Sequence, residues 1–182
     1  MTADRVLAPG EWAVLALLCE RPAHGWALAS QLRQEGDLGA VWTMGRPLVY
    51  RSLEILEARR LIEAAGHEPG IRGPNRTILR VTSAGRDALM RWLAEPVDHI
   101  RDVRSLLLLK LVFADRLGVD PRPMLLAQHE ANVASVAALE SRVEGATGGE
   151  RILLRFRLES TRGVLRFIQG MLAAERVSAE AI

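Results

Sequence analysis

A mostly α-helical protein with one short two-stranded β element near residue 70 is what this sequence predicts, and three observations carry the expectation. Apolar residues recur at helical spacing over most of the chain. One segment, 61–81, changes to strand-like texture around a turn-rich loop, and nothing after Pro96 reads as anything but helix. With 49% of its 182 residues apolar and 25% charged, the chain has the means to bury a core, which excludes disorder as its main theme. The length suits one modest domain, or a small one with an appendage.

Taken in order, the first element runs from Glu11 to Glu20, where Trp12, Leu15, Leu18 and Cys19 recur at helical spacing. Arg21-Pro22-Ala23-His24-Gly25 breaks it, and Trp26–Gln34 starts a second helix with Trp26, Leu28, Ala29 and Leu32 available for burial; Gly36 and Gly39 close it. Pro47 suits a first helical position, so Leu48–Arg60 reads as a third helix. Its inward face is Val49, Leu53 and Leu56, and its outward face carries Arg46, Tyr50, Arg51, Glu54 and Arg59. Leu61–Glu68 and Thr77–Val81 read as strands joined by Pro69-Gly70-Ile71-Arg72-Gly73-Pro74-Asn75-Arg76. Thr82 is a natural N-cap for a fourth helix, Ser83–Ala94.

The second half reads as three helices. Ile100–Leu117 is apolar on nearly every side through Leu106, Leu107, Leu108, Leu109, Leu111, Val112 and Phe113, so protein must surround it. After Pro121 and Pro123 a helix to about Glu144 carries the stripe Leu125, His129, Asn132, Val136, Leu139 and Val143. The loop 145–149 turns the chain into a final helix, about Glu150–Arg176, with two seams. One is Leu154, Leu158, Thr161, Leu165, Ile168 and Leu172; the other is Phe156, Ser160, Gly163, Phe167 and Gly170. Two seams need two partners, the preceding helix and a second subunit. Phe156, Gly163, Phe167 and Gly170 of the second seam, with Leu106 and Leu109 of the apolar run, are the candidate dimer contacts.

Charge adds a function class. Of the 24 basic residues only Lys110 is a lysine, and the net charge is only +2. Between Arg46 and Arg91, however, nine arginines face five acids. Three helices, a hairpin and a fourth helix make a winged helix-turn-helix, whose third helix enters a DNA major groove while the hairpin loop reaches the neighbouring backbone. Arg46 at the helix start suits phosphate or guanine, Tyr50 can donate to phosphate, and Arg51, Ser52 and Leu48 complete the outward surface. Arg72, Asn75 and Arg76 sit where a wing would reach. The competing reading is a winged-helix protein-interaction module whose basic face is incidental.

His24-Gly25-Trp26, then Pro47-Leu48-Val49-Tyr50-Arg51-Ser52-Leu53 through Leu61-Ile62, then Thr82-Ser83-Ala84-Gly85-Arg86, resemble the PadR family of transcriptional regulators. The match covers about residues 10–95, and the remainder is similar to the longer subgroup with an extended helical dimerisation domain. The resemblance implies a winged helix-turn-helix domain at 1–95, an all-α dimerisation domain at 96–182, a homodimer on a near-palindromic operator, and repression relieved by a small molecule. Two positions depart from the pattern. Leu48 stands where Ser or Thr is common, and Arg60 where a helix-ending glycine is usual.

Other chemistry has little to rest on. No nucleophile elbow, Walker loop or dinucleotide fingerprint is present, so neither an enzyme nor a cofactor is expected. His24, His67, His99 and His129 lack metal-ligand spacing, and Asp98, His99 and Asp102 read as helix-start charges, so no metal is expected. Cys19 reads as a small core residue and His24 as the group that fixes a turn. The polar positions His129, Asn132 and Thr161 read first as register control; the alternative is an effector pocket in which Trp12, Trp92, Phe113, His129 and Asn132 take part. The first residues lack the pattern of a secretion signal, and no apolar run spans a bilayer, so a cytoplasmic protein without a membrane partner is expected.

Overall fold

The computed structural model describes residues 6–68 and 76–180. The elements are α1 (Pro9–Glu20), α2 (Gly25–Gln31), α3 (Arg46–Ala58), β1 (Ile62–Glu68), β2 (Arg76–Val81), α4 (Ser83–Ala94), α5 (Ile100–Asp102), a π-helical turn (Val103–Leu107), α6 (Leu108–Leu117), α7 (Arg122–Gly145) and α8 (Gly148–Glu180). The protein is thus mostly α, with a two-stranded antiparallel wing after three helices. Two compact units result. One runs to Trp92 and takes in Leu108–Val119; the other comprises Leu93–Leu107 and the chain from Asp120 onward. The expected boundary at residue 95 does not mark this division, because α6 packs with α1 and so belongs to the first unit.

In the first unit α1 is buried from Gly10 to Cys19. Pro9 opens it, and the Glu11 carboxylate accepts from the Ala8 N–H at 2.8 Å, satisfying one donor of the first turn. Trp12 stacks on Trp92 of α4 with ring centroids 5.0 Å apart. Lys110 of α6, buried, donates to the Trp92 carbonyl and lies 4.7 Å from the centre of that ring. Arg116 of α6 pairs with Glu20 at 2.7 Å and reaches Gln31 at 3.4 Å, joining three helices. Burial of Cys19 pushes its thiol up from 9.0 to about 11. The neutral thiol is therefore the form the fold prefers, so its contribution to stability is complete below pH 9 and should fall away as pH rises toward 11. A Cys19→Ala protein should lack that alkaline component in urea titrations at about pH 8–11.

The end of α3 explains one departure in the sequence. Arg60 has φ +58°, its N–H donates to the Glu57 carbonyl at 2.8 Å, and the Leu61 N–H donates to the Leu56 carbonyl at 2.9 Å. This is a Schellman cap built on arginine instead of glycine. Arg60→Gly should relieve the left-handed backbone and raise stability by about 0.5–1 kcal/mol, readable as a higher denaturation midpoint.

The wing pairs Ile62 with Val81 and Glu68 with Arg76, with a bulge between Ala64 and Gly66. Ala23 adds a bridge to Leu79, with reciprocal backbone bonds of 3.0 Å, so the break after α1 is a strand contact as well as a turn. Three expectations from the sequence are corrected. Helix α2 ends at Gln31, three residues early. Trp26, expected in the core, is 53% exposed because it lies on the first turn facing away from Leu28 and Leu32. The run Ile100–Leu117 is not one α-helix, since Val103–Leu107 is π-helical.

In the second unit α7 and α8 are antiparallel, as the bonds Arg162–Glu140 (2.6 Å) and Gln169–His129 (3.3 Å) require. The seam Leu154, Leu158, Thr161, Ile168 and Leu172 is buried, with Leu165 half-buried. The second seam behaves differently: Phe156 is 71% exposed, and Phe167 and Gly170 are exposed as well. Among the described residues no helix is long and apolar enough to cross a membrane, and no group of three His, Cys, Asp or Glu side chains is placed to hold a metal.

Candidate nucleic-acid interface

Helix α3 is set by what it buries. Val49, Leu53 and Leu56 face α1 and α2, as their spacing of four and three predicts. The start of α2 comes close enough that a Cβ on Gly25 would lie 3.0 Å from the Tyr50 ring and 3.1 Å from Leu53. Glycine in the His-Gly-Trp step is thus what lets α3 nest there, with the Cε1–Cζ edge of the Tyr50 ring braced against that backbone.

The outward surface holds Arg46, Leu48, Tyr50 and Arg51, all exposed. Arg46 sits in the first turn with its guanidinium carbon 5.6 Å from the Tyr50 ring centre. Ser52 does not belong to this surface. It is 5% exposed, one residue before Leu53 on the buried side of α3, so the expectation that it faces outward is corrected. Leu48 is 54% exposed, which gives the surface an apolar spot suited to a thymine methyl.

At the wing, Arg72 and Asn75 lie outside the described residues. Arg76 is described and exposed, and it meets His24, expected to fix a turn, and Trp26, expected in the core. Its guanidinium carbon is 5.9 Å from the Trp26 ring centre, and its Nη1 is 3.4 Å from His24 Nε2. His24 caps α2, its Nδ1 accepting from the Ala27 N–H at 3.1 Å. A neutral His24 therefore carries its proton on Nε2 and presents a donor beside the Arg76 donors. Donors converging on one place suit an anion such as a phosphate oxygen. The only sequence signal for this trio was the His-Gly-Trp step, because Arg76 is brought there by the Ala23–Leu79 bridge. Arg80, by contrast, is engaged with Glu63 across the wing at 2.8 Å.

The expected ligand and dimer residues are dispersed. Trp12 lines a cleft of about 1330 Å³ beside α3 with Trp42 and Met44. Trp92 and Phe113 are buried in packing and do not line it. His129 is engaged with Gln169, and Asn132 lines a separate cavity in the second unit. Leu109 is fully buried within the first unit and so cannot present itself to a second copy; Leu106 is half-buried.

Residues 14–91 match the family model described as the transcriptional regulator PadR-like family. A probable transcriptional regulator of Mycobacterium tuberculosis, Rv1176c, is 31% identical over 93 residues, 51% of this chain and 48% of that protein. The chain thus spans about half the length of this curated relative. The crystal structure of Bacillus subtilis PadR in complex with operator DNA is similar at 18% identity and a TM-score of 0.46, over 89% of this chain and 97% of the other. The same protein in complex with p-coumaric acid gives 18% identity and a TM-score of 0.42, over 92% and 98%.

Proposed function

We propose, on the match of residues 14–91 to the PadR-like transcriptional regulator family model, that this chain is a sequence-specific DNA-binding regulator that acts as a homodimeric repressor and is released by a small molecule. One observation carries the DNA reading. Arg46, Tyr50 and Arg51 on the outward face of α3 have no carboxylate partner among the described residues, and Arg76 with His24 and Trp26 flanks them on the wing side. Arg46 and Leu48 read bases; Tyr50, Arg51 and Arg76 hold phosphates. A DNA partner makes the cytoplasm its place of action. Selection of preferred sites from a random DNA pool tests the reading. A near-palindromic site supports both specific binding and two-fold symmetry, and recovery of no preferred sequence overturns it in favour of a protein-interaction module.

The dimer rests on the exposed seam of α8. Phe156 and Phe167 stand out from the protomer, and a Cβ on Gly170 would meet nothing within 4 Å, while one on Gly163 would meet only Arg166 at 3.9 Å. A second copy covering this stripe removes two large rings from water and can approach closely at the glycines. Phe156→Asp with Phe167→Asp should convert a dimer into a monomer in sedimentation equilibrium while leaving the helix content unchanged. A wild-type protein that sediments as a monomer at micromolar concentration would exclude the dimer.

A further inference from the structure

The second unit carries a solvent-open cavity of about 530 Å³ between the 97–103 segment, α7 and α8. Its polar wall has an orientation fixed from the backbone outward. The Val97 N–H donates to Gln128 Oε1 at 2.6 Å, and a backbone amide can only donate, so that oxygen is identified. Gln128 Nε2 then donates to the Val97 carbonyl at 3.1 Å and to Asn132 Oδ1 at 2.8 Å, using both of its hydrogens. Asn132 must therefore turn its NH2 away from Gln128. Among the described residues nothing accepts from that group, although Asn132 is only 5% exposed and lines the cavity.

The other end of the cavity is cationic. Arg142 of α7 and Arg157 of α8 both line it, and neither has an ion pair or hydrogen-bonded acid among the described residues. Arg101 lines it too but lies 3.6 Å from Asp102, and Asp98 is the acid in the wall. Between the two ends the wall is apolar or small, with Val103, Ala138 and Leu139; His99 also lines the cavity, but no Phe, Tyr or Trp does. Asn132 and Arg142 are ten residues apart on one helix, about 15 Å along its axis. Helical side chains lean toward the N-terminus, so the arginine head comes back to within roughly 10 Å of the amide.

From this we infer that the cavity binds an elongated aliphatic monocarboxylate carrying an uncharged oxygen acceptor about 10 Å from its carboxylate. Arg142 and Arg157 take the carboxylate, and the Asn132 NH2 donates to the distal oxygen. Such a ligand is the effector of the proposed regulator, and its role in release rests on that reading. A cavity of this volume fits a ligand of this size.

Calorimetric titration of the full chain with three probes tests it: 8-hydroxyoctanoate, octanoate and octane-1,8-diol. The hydroxy acid should bind about fivefold tighter than octanoate, through one neutral hydrogen bond, and at least about tenfold tighter than the diol. Arg142→Gln with Arg157→Gln should abolish the preference over the diol, and both residues are exposed, so the thermal midpoint should not change. Asn132→Ala should abolish the preference for the hydroxyl; the comparison of probes in the wild-type protein keeps the claim testable if that variant does not fold. Absence of binding at millimolar hydroxy acid, a diol that binds as tightly, or a double variant with unchanged preference overturns the inference. The selected DNA site then separates the two readings. Binding of the acid without any change in DNA affinity leaves the site standing and removes the effector role, and failure to bind DNA removes the regulator reading alone.

Discussion

Replacing Arg51 and Arg76 together with glutamine is expected to lower affinity for the selected DNA site by about a hundredfold for each winged unit engaged, at about 0.1 M salt. This magnitude follows from counterion release: each guanidinium held on a phosphate adds nearly one unit to the slope of log affinity against log salt concentration, and about tenfold in affinity at that salt. Without both arginines the slope should flatten by about two per winged unit, and by about four in a dimer. Affinity for unrelated DNA should fall in parallel, since phosphates carry no sequence. Arg46→Gln should differ in kind, relaxing preference at one base position by about 1–3 kcal/mol with a smaller change in slope. Band shifts at three salt concentrations, on selected and scrambled duplexes, measure all of this. An unchanged slope in the double variant would show that neither guanidinium touches phosphate. Helix content and stability should be close to wild type, because Arg51 and Arg76 are exposed and make no ion pair among the described residues.

Gly85→Ala is expected to destabilise the winged unit by about 3 kcal/mol and to lower its thermal midpoint by roughly 10 °C. A Cβ at this position would lie 2.1 Å from the Leu61 carbonyl oxygen and 2.9 Å from Val81 Cγ2. The obstacle is backbone, held in place from several directions. The Thr82 N–H donates to that same oxygen at 3.0 Å, Thr82 Oγ1 lies 2.9 Å from the Arg60 carbonyl oxygen, and the Gly85 N–H donates to Thr82 Oγ1 at 3.0 Å. The end of α3, both wing strands and the start of α4 therefore meet at one joint, and the methyl cannot enter without opening it. Gly149→Ala is the control, since nothing lies within 4 Å of a Cβ there. Calorimetry or urea titration should show the contrast, and equal midpoints would mean the joint yields easily.

The order of elements was legible because each has a local cause. The period of Val49, Leu53 and Leu56 sets the buried face of α3, Thr82 caps α4 as its position suggested, and the turn residues between 69 and 75 separate two strand-like runs. The stripe on α7 and the first seam of α8 are buried or half-buried where the two helices pack, as their four-and-three spacing implies. The failures share one character. Ser52 is expected on the outward surface with Arg51, yet its place on the helix puts it beside Leu53 and Val49. Trp26 falls in the helical pattern of α2 and is expected inward, yet its place on the first turn points it away from Leu28 and Leu32. Leu109 was offered to a second subunit from its place in an apolar run, yet α6 buries it among the helices of the first unit.

Sequence alone determined the class of fold, the helix that presents the arginines and the sign of the charge around it. Those follow from periodicity, capping and composition, which act over a few residues. Tertiary structure decided which of those groups work together. Arg76 reaches His24 and Trp26 because a strand bridge joins Ala23 to Leu79 across the intervening helices, and Asn132 keeps a spare donor because Val97 fixes Gln128. Both arrangements depend on chain segments that share no local pattern, and only their packing brings them within hydrogen-bonding distance.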